Sequence, residues 1–301
     1  MGPLPLGDDA AAIRLPRGQV AVVSTDALVQ GTHFLRGSPP ALVGRAATAV
    51  SLSDVASKGA VPLAVFLALV LPPGTPRRWA EALTLGAEHE AARVRAHLLG
   101  GDTKPGPTPT VVSTVVGAAR ADRLVGRRGA RPGDLLVTTG RVGRGGLAAR
   151  GLAAPPAGRA EAVAELLRVE PRVREGVALA GVASAMLDTS DGLADSARLL
   201  AEASRVQVVL EEDALPLMPG LRKVRPAAAR RRVAFYGGDY ELLASVPGRR
   251  AGEALRAVRR AGGTATVVGR VLRGQGAVLV TDRGPRPMPR AGWRPFGRAT
   301  S

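Results

Sequence analysis

Short apolar runs alternate with longer segments of mixed polarity along this chain of 301 residues. Runs rich in valine and threonine, or apolar throughout, predict strands in the first third. Helical spacing predicts one helix entered through Pro39-Pro40 and closed by Gly59, and a second with Thr75 as its N-cap. This alternation favours an α/β architecture. The predicted strands are 19–24, 63–71 and 110–119, and the predicted helices are 41–57 and 75–97.

A polar stretch broken by glycine and proline, residues 120–133, separates the two halves of the chain. Such stretches are typical of domain boundaries. We therefore predict two α/β domains, residues 1–125 and 126–301, with a proline-rich extended segment at the end. In the second half the pattern predicts strands at 134–139, 185–187, 206–210, 242–246, 264–268 and 277–280, and helices at 159–168, 172–181, 192–203 and 249–261.

The chain carries a formal charge of +17, which raises the question of nucleic-acid binding. Its 42 basic residues include only three lysines, however, and the arginines are spread over the whole length. Aromatic residues make up 3%, so stacking platforms for single strands are scarce. The composition indicates a coding bias and argues against nucleic acid as the main partner. The absence of cysteine excludes disulfides, thiolate zinc sites and a cysteine nucleophile.

No segment of the sequence predicts a membrane span. The longest apolar run, residues 63–71, is bracketed by Pro62 and Pro72, and a bilayer needs about twenty residues. The first residues show no basic region followed by an apolar one, as a signal peptide would. We expect a cytoplasmic protein with no membrane partner.

Aspartate has an unusual distribution. Several aspartates directly follow a predicted strand, where ligands of α/β proteins collect. A cluster of carboxylates requires cations, which arginine or a hard divalent ion such as Mg²⁺ could supply. Asp122, Asp134, Asp213 and Asp282 are interpreted as turn or capping residues. Of 13 aspartates, eight lie in short motifs beside glycine, serine or threonine: Asp8, Asp9, Asp26, Asp54, Asp102, Asp188, Asp191 and Asp239.

The motifs for nucleotide binding by a P-loop or a protein-kinase fold are missing. None of the lysines is followed by serine or threonine, and no H-R-D or D-F-G element occurs. If the chain handles a nucleotide, aspartates with bound metal must neutralise its charge. Phosphoryl transfer suits such a site because it needs alignment and charge stabilisation more than a covalent catalyst. His33 lies in a predicted loop near these acids, and the pattern leaves a structural and a functional role equally open.

Eight segments, in this order, resemble the thiamine-monophosphate kinase family, part of the superfamily that includes aminoimidazole ribonucleotide synthetase. Together they cover essentially the whole chain. The resemblance implies a two-domain fold of the aminoimidazole ribonucleotide synthetase type and a homodimer joined through the N-terminal domains. It also implies ATP-dependent phosphorylation of thiamine monophosphate to thiamine diphosphate, by direct in-line transfer with Mg²⁺. The segments are GDDAA (7–11), STDALVQGTHF (24–34), SLSDVASKGA (51–60), GGDT (100–103), RPGD (131–134), LDTSDGL (187–193), GGDYEL (237–242) and AGWRPF (291–296).

The resemblance also implies roles for individual residues. Asp26, Asp102 and Asp191 are the implied catalytic residues. Nucleotide contacts are implied for Gly101, Asp102, Arg127 and Ser190, and substrate contacts for His33, Asp239 and Trp293. The implied metal ligands are Asp9, Ser24, Thr25, Asp26, Asp54, Asp102, Asp188 and Asp191.

Three departures from the family pattern keep other functions open. Only six residues precede Gly7, where the family usually has a further helical segment. The GGDYEL motif lacks one acidic residue, the one expected to meet the substrate, and Asp239 is the candidate to replace it. Lys58 stands where methionine is common, beside Asp54, and a cation there could weaken metal binding. The alternatives are an ATP-dependent enzyme with a different acceptor and a catalytically silent nucleotide-binding relative.

Overall fold

The computed structural model describes residues 2–152 and 158–292. The chain forms two compact units: unit 1 is Met1–Leu124 with Leu152–Val177, and unit 2 is Val125–Gly151 with Ala178–Ser301. The first change of unit thus falls at the start of the predicted second domain. Residues 152–177, which the sequence assigned to that domain, instead group with unit 1.

Unit 1 is built on a five-stranded mixed sheet in the order β1-β2-β5-β3-β4. All neighbouring strands are antiparallel except β3 and β4, which are parallel. In chain order its elements are β1 (Ala11–Arg14), β2 (Gln19–Val29), α1 (Pro40–Ser57), β3 (Val61–Leu71), α2 (Arg77–Arg93), β4 (His97–Pro105), β5 (Thr110–Arg120), α4 (Arg159–Leu166) and the start of α5 (Val173–Leu179).

One face of this sheet is buried under α1, because alternate residues of β2 and β5 point toward that helix. Val22 and Val115 form one core with Leu52 and Val55 of the helix. The helices α1 and α2 pack closely: a Cβ on Gly44 would lie 1.8 Å from the carbonyl oxygen of Leu83. Glycine there allows the two helix backbones to approach each other directly.

Unit 2 contains a seven-stranded mixed sheet in the order β12-β11-β8-β10-β6-β9-β7. Only β8 and β11 are parallel neighbours in it. Its core includes Leu136, Leu187, Leu200 and Phe235. The elements are β6 (Asp134–Thr139), α3 (Arg144–Leu152), β7 (Ala185–Asp188), α6 (Leu193–Ser204), β8 (Gln207–Glu211), α7 (Ala227–Ala234), β9 (Leu242–Pro247), α8 (Ala251–Arg260), β10 (Ala265–Leu272), β11 (Gly276–Thr281) and β12 (Gly284–Pro287).

The α/β class and the two-domain fold expected from the sequence are confirmed, while several element limits differ. The strand β2 continues to Val29, so Asp26 lies within a strand and not after it. The helix α2 ends at Arg93, because the chain turns through Arg95 with a φ of 62° before β4 begins. Thr75 does not cap α2, since its hydroxyl donates to the carbonyl oxygen of Pro72. Among the described residues, no helix has the length and apolar character needed to cross a bilayer.

Candidate active site

Asp26 is half-buried in β2, on the face of the sheet that α1 covers. Ser24 points to the same side, and its Oγ donates to Asp54 Oδ2 on α1 at 2.6 Å. Burial raises the pKa of Asp26, and the neighbouring polar side chains of Ser51, Asp54 and Ser24 lower it by less. Within the described part of the chain, Asp26 Oδ2 is buried and accepts no hydrogen bond. A buried, unsatisfied carboxylate oxygen is costly unless a proton or a cation meets it, so this atom fits a hard cation.

Thr25 points away from these acids. The side chains of a strand alternate between faces, and the Oγ of Thr25 lies 2.9 Å from the Oγ of Thr114 on the exposed side of β5. The hydroxyl of Thr25 is therefore not placed with Ser24 and Asp26. A role for Thr25 as a metal ligand would have to use its backbone oxygen.

Asp9 is held by a buried lysine. Lys58 follows the last turn of α1, and its Nζ lies 2.5 Å from Asp8 Oδ1 and 2.6 Å from Asp9 Oδ2. Ser57 Oγ donates to the same Asp9 oxygen at 2.8 Å. Burial alone would lower the pKa of Lys58, but the charges of Asp9 and Asp8 give it a net rise, which keeps the ammonium protonated. The lysine that the sequence placed beside Asp54 thus pairs with Asp8 and Asp9, although Asp9 and Asp54 also have ligand oxygens within 4.8 Å of each other.

His33 lies in the loop after β2, on the same unit as these acids. Its Nδ1 accepts a hydrogen bond from the backbone N–H of Val29 at 3.1 Å. Burial lowers the pKa of His33, against the opposing charge of Asp26. The ring is therefore neutral near pH 7, with its proton on Nε2.

Gly101 and Asp102 lie on the edge strand β4. A Cβ on Gly101 would lie 1.7 Å from the carbonyl oxygen of Leu67, so strand packing alone requires glycine there. Asp102 is exposed, and its Oδ1 accepts from Lys104 Nζ at 2.9 Å and from the N–H of Thr103 at 2.8 Å. These two contacts lower the pKa of Asp102. The carboxylate is ionised and accessible, and its roles in metal and nucleotide binding stay predictions.

In unit 2, Asp188 ends β7 and is buried. Both the hydroxyl and the N–H of Ser190 donate to Asp188 Oδ1, at 2.8 and 3.3 Å. Asp191 follows as an exposed residue, and Gly192, with a φ of 100°, begins the turn into α6. The motif LDTSDGL thus arranges one buried and one exposed carboxylate in a single tight turn.

Unit 2 also contains Arg127, for which the sequence predicted a contact with nucleotide. Arg127 is half-buried, and its carbonyl oxygen accepts from Ser204 Oγ at 3.3 Å. Its predicted contact with nucleotide stays a prediction. Trp293 lies outside the described residues.

Asp239 is buried beneath the glycine-rich turn that leads into α3. Its two oxygens accept from the N–H groups of Gly143 at 2.7 Å and Gly145 at 3.0 Å. Burial raises the pKa of Asp239 to about 6, and these two hydrogen bonds lower it only in part. The carboxylate therefore fixes the turn at the start of α3. Its predicted contact with substrate stays a prediction.

The sequence did not identify three residues of these clusters: Ser51, Ser57 and Glu241. Ser51, Asp54 and Ser57 recur every three residues and share a face of α1, as helical periodicity predicts. That spacing could have identified both serines as partners of the aspartates. Glu241 is buried and accepts from Thr139 Oγ1 at 2.6 Å, a pairing between distant segments that no local pattern reveals.

Comparison with known proteins places the whole chain in one group. Residues 7–119 match the family model of the AIR synthase related protein N-terminal domain, and residues 131–282 match that of the C-terminal domain. A thiamine-monophosphate kinase of Halobacterium salinarum is 38% identical over 265 residues, which cover 88% of this chain and 87% of that protein.

Solved structures agree with these matches. The structure of AaThiL complexed with AMPPCP and TMP is 28% identical, with a TM-score of 0.83 and coverage of 97% of this chain and 92% of that one. A thiamine-monophosphate kinase from Stenotrophomonas maltophilia K279a is 30% identical, with a TM-score of 0.80 and coverage of 92% and 90%. The similarity extends over both units, so it concerns the whole protein and not one shared domain.

Proposed function

The chain belongs to the AIR synthase related protein family and, within it, to the thiamine-monophosphate kinases, and from that membership we propose that it phosphorylates thiamine monophosphate with ATP. The products are thiamine diphosphate and ADP. The observation that carries this proposal is similarity over 97% of the chain to a protein solved with an ATP analogue and TMP. The class of enzyme, a phosphotransferase, follows from the family itself.

In the proposed reaction an oxygen of the monophosphate forms a bond to the γ-phosphorus, and the bond from that phosphorus to the β,γ-bridging oxygen breaks. The attacking phosphate oxygen is already ionised at neutral pH, so the protein need not supply a general base. The protein has to hold the two phosphates in line and to balance their charge. We propose Gly101, Arg127 and Ser190 for the nucleotide, and His33, through Nε2–H, for the substrate.

The donors of unit 1 suit Mg²⁺, which takes hard oxygen ligands. Asp26 supports this assignment because its Oδ2 is a buried carboxylate oxygen with no hydrogen bond from the described residues. Asp54 lies beside it, and we propose Asp54 and Asp102 as further metal ligands in unit 1. In unit 2 we propose Asp188 and Asp191 as metal ligands. Bound Mg²⁺ would supply neutralisation of the phosphate charge. Without it, the acids would repel the phosphates of both substrates.

We propose a homodimer joined through the sheet of unit 1. Four large apolar side chains on β3 and β4 are exposed: Val61 at 47%, Leu63 at 51%, Phe66 at 39% and Leu99 at 64%. Apolar side chains clustered on neighbouring strands mark association surfaces more often than isolated ones do. The cytoplasm remains the proposed compartment.

The direct test is an assay of the purified chain with Mg·ATP and thiamine monophosphate, in which thiamine diphosphate and ADP are both quantified. We expect both products in equal amounts, and a loss of turnover in Asp26→Asn. The matched control is Asp213→Asn, a change of the same kind at an exposed residue of unit 2.

A panel of other phosphorylated and carboxylated acceptors distinguishes the alternatives. ADP release with another acceptor, and none with thiamine monophosphate, would assign a different substrate. Binding of Mg·ATP without turnover on any acceptor would identify a catalytically silent relative.

A further inference from the structure

The ammonium group of Lys58 lies within the carboxylate cluster of unit 1. The side chain is fully buried, and so are those of its partners Asp8 and Asp9, at 1% and 2% exposure. One cation therefore bridges two carboxylates from adjacent residues, in a place from which water is excluded. The same cluster includes Asp54, whose ligand oxygen lies within 4.8 Å of that of Asp9.

We infer that the Lys58 ammonium takes the place of one divalent cation in this cluster, so that Asp8 and Asp9 are neutralised from within the chain and Asp9 is withdrawn from the metal ligands. This inference rests on the proposed Mg²⁺-dependent function. It changes the ligand set that the sequence predicted, because Asp9 was among the expected ligands.

The coordination of Asp9 supports the inference. Asp9 Oδ2 accepts from both Lys58 Nζ and Ser57 Oγ, and two donors satisfy the lone pairs of one carboxylate oxygen. A divalent ion at this oxygen would have to displace a fixed positive charge. An ion bound at Asp9 would also be repelled by the ammonium, and in a buried site this repulsion is only weakly screened.

The position of Lys58 in the fold also favours a permanent charge. The residue is the C-cap of α1, where the partial negative charge of the helix end stabilises a cation. By contrast, Asp26 Oδ2 accepts no hydrogen bond from any described residue, and Asp54 Oδ2 accepts from the neutral hydroxyl of Ser24. Asp26 therefore keeps the capacity for metal that Asp9 has given to Lys58.

A structural consequence follows for the segment around Asp8 and Asp9. These residues directly precede β1, an edge strand of the sheet. The Lys58 pairs attach this segment to the end of α1 without any metal. Removal of divalent ions should therefore leave the segment and β1 in place.

The test counts bound Mn²⁺ by electron paramagnetic resonance, on the full chain without nucleotide or thiamine monophosphate. We expect Lys58→Met to bind one more Mn²⁺ than the wild type, because Asp8 and Asp9 then lack their cation. The triple variant Asp8→Asn, Asp9→Asn, Lys58→Met should bind the same number as the wild type. Lys223→Met, which removes an exposed lysine of unit 2, should also leave the number unchanged.

Hydrogen exchange of residues 7–14 gives a second readout. Protection of this segment should be the same with Mn²⁺ and with EDTA in the wild type, and should depend on Mn²⁺ in Lys58→Met. Equal Mn²⁺ numbers and affinities in wild type and Lys58→Met would overturn the inference. So would the loss of an ion in the triple variant, which remains informative if Lys58→Met does not fold.

These measurements use no substrate. A failure of the proposed kinase activity therefore leaves them interpretable, and their failure leaves the activity assay unaffected.

Discussion

Ser24 and Asp54 join the sheet of unit 1 to the helix that covers it. The Oγ of Ser24 on β2 donates to Asp54 Oδ2 on α1 at 2.6 Å, across 30 residues of sequence. Serine is buried here, and its hydroxyl holds the carboxylate beside Asp26. Ser24 is therefore a positioning residue for the proposed metal site, whether or not it also contacts an ion.

Ser24→Ala should weaken this arrangement. Loss of a hydrogen bond to a charged group costs about 1–3 kcal/mol of stability, and Asp54 would be free to turn away from Asp26. We expect the KM for Mg·ATP to rise by roughly tenfold to a hundredfold, as when partners of metal ligands are removed. Steady-state kinetics and urea unfolding measure the two effects. Thr84→Ala, which loses only a bond to its own helix, is the control and should keep the wild-type KM.

Asp26→Asn should show two effects of the Asp26 charge: its cost to the stability of the fold and its proposed binding of the ion. The pKa of Asp26 is raised, chiefly by burial, so its contribution to stability is present at low pH and is lost as pH rises through the folded-state pKa. Asparagine carries no charge at any pH. In EDTA the variant should therefore gain in melting temperature relative to the wild type as pH increases.

When Mg²⁺ is added at neutral pH, the wild type should instead have the higher melting temperature. Ligands that bind only the native state raise its apparent stability, and the variant lacks the carboxylate that we propose binds the ion. Thermal melts at several pH values, with and without Mg²⁺, provide both comparisons. An equal Mg²⁺ response in the two proteins would remove Asp26 from the proposed site.

The raised pKa of Asp239 in unit 2 predicts a second pH dependence of the free energy of unfolding. Its pKa of about 6 lies above the ordinary value of 3.8. The associated stability is fully present below the ordinary pKa and is lost as pH rises through about 6. This shift corresponds to about 3 kcal/mol. Asp239→Ala should remove this dependence from the free energy of unfolding.

The same variant should be less stable than the wild type at every pH, because the N–H groups of Gly143 and Gly145 lose their acceptor. Each buried donor left unsatisfied costs about 1–3 kcal/mol. Urea unfolding between pH 4 and pH 8 measures both the offset and the slope. A difference between variant and wild type that does not change with pH would contradict the assignment of the titration to Asp239.

Phe66→Glu should dissociate the proposed dimer. A carboxylate in the centre of an apolar interface would be buried without a partner, which costs far more than the lost apolar contact. Sedimentation velocity should show a monomer for this variant and a dimer for the wild type. Leu85→Glu is the matched control, since Leu85 is an exposed leucine on α2. A dimer that survives Phe66→Glu would place the interface elsewhere.

The local pattern predicted most strands and helices of this fold because burial alternates with strand and helix periodicity. It was weakest at the element ends. The strand β2 passes through Asp26 to Val29 because β5 pairs with it along its whole length. Aspartate is depleted in strands, so the pairing with the partner strand explains the extension.

The sequence also predicted that several of the acids directly follow a strand, where ligands of α/β proteins collect. Most neighbouring strands are antiparallel in both sheets, so the carboxyl ends do not share one edge. Asp26 lies within a strand of unit 1, and Asp188 lies at the end of a strand of unit 2.

The sequence by itself determined the family, the α/β class and the set of aspartates, because motif order and hydrophobic periodicity are local properties. Only the tertiary structure decided what each acid meets. Lys58 pairs with Asp8 across 50 residues, and Ser24 faces the cluster while Thr25 faces away from it. Charge pairing and burial act through space, between segments that the fold brings together, and these contacts determine which oxygens remain available for an ion.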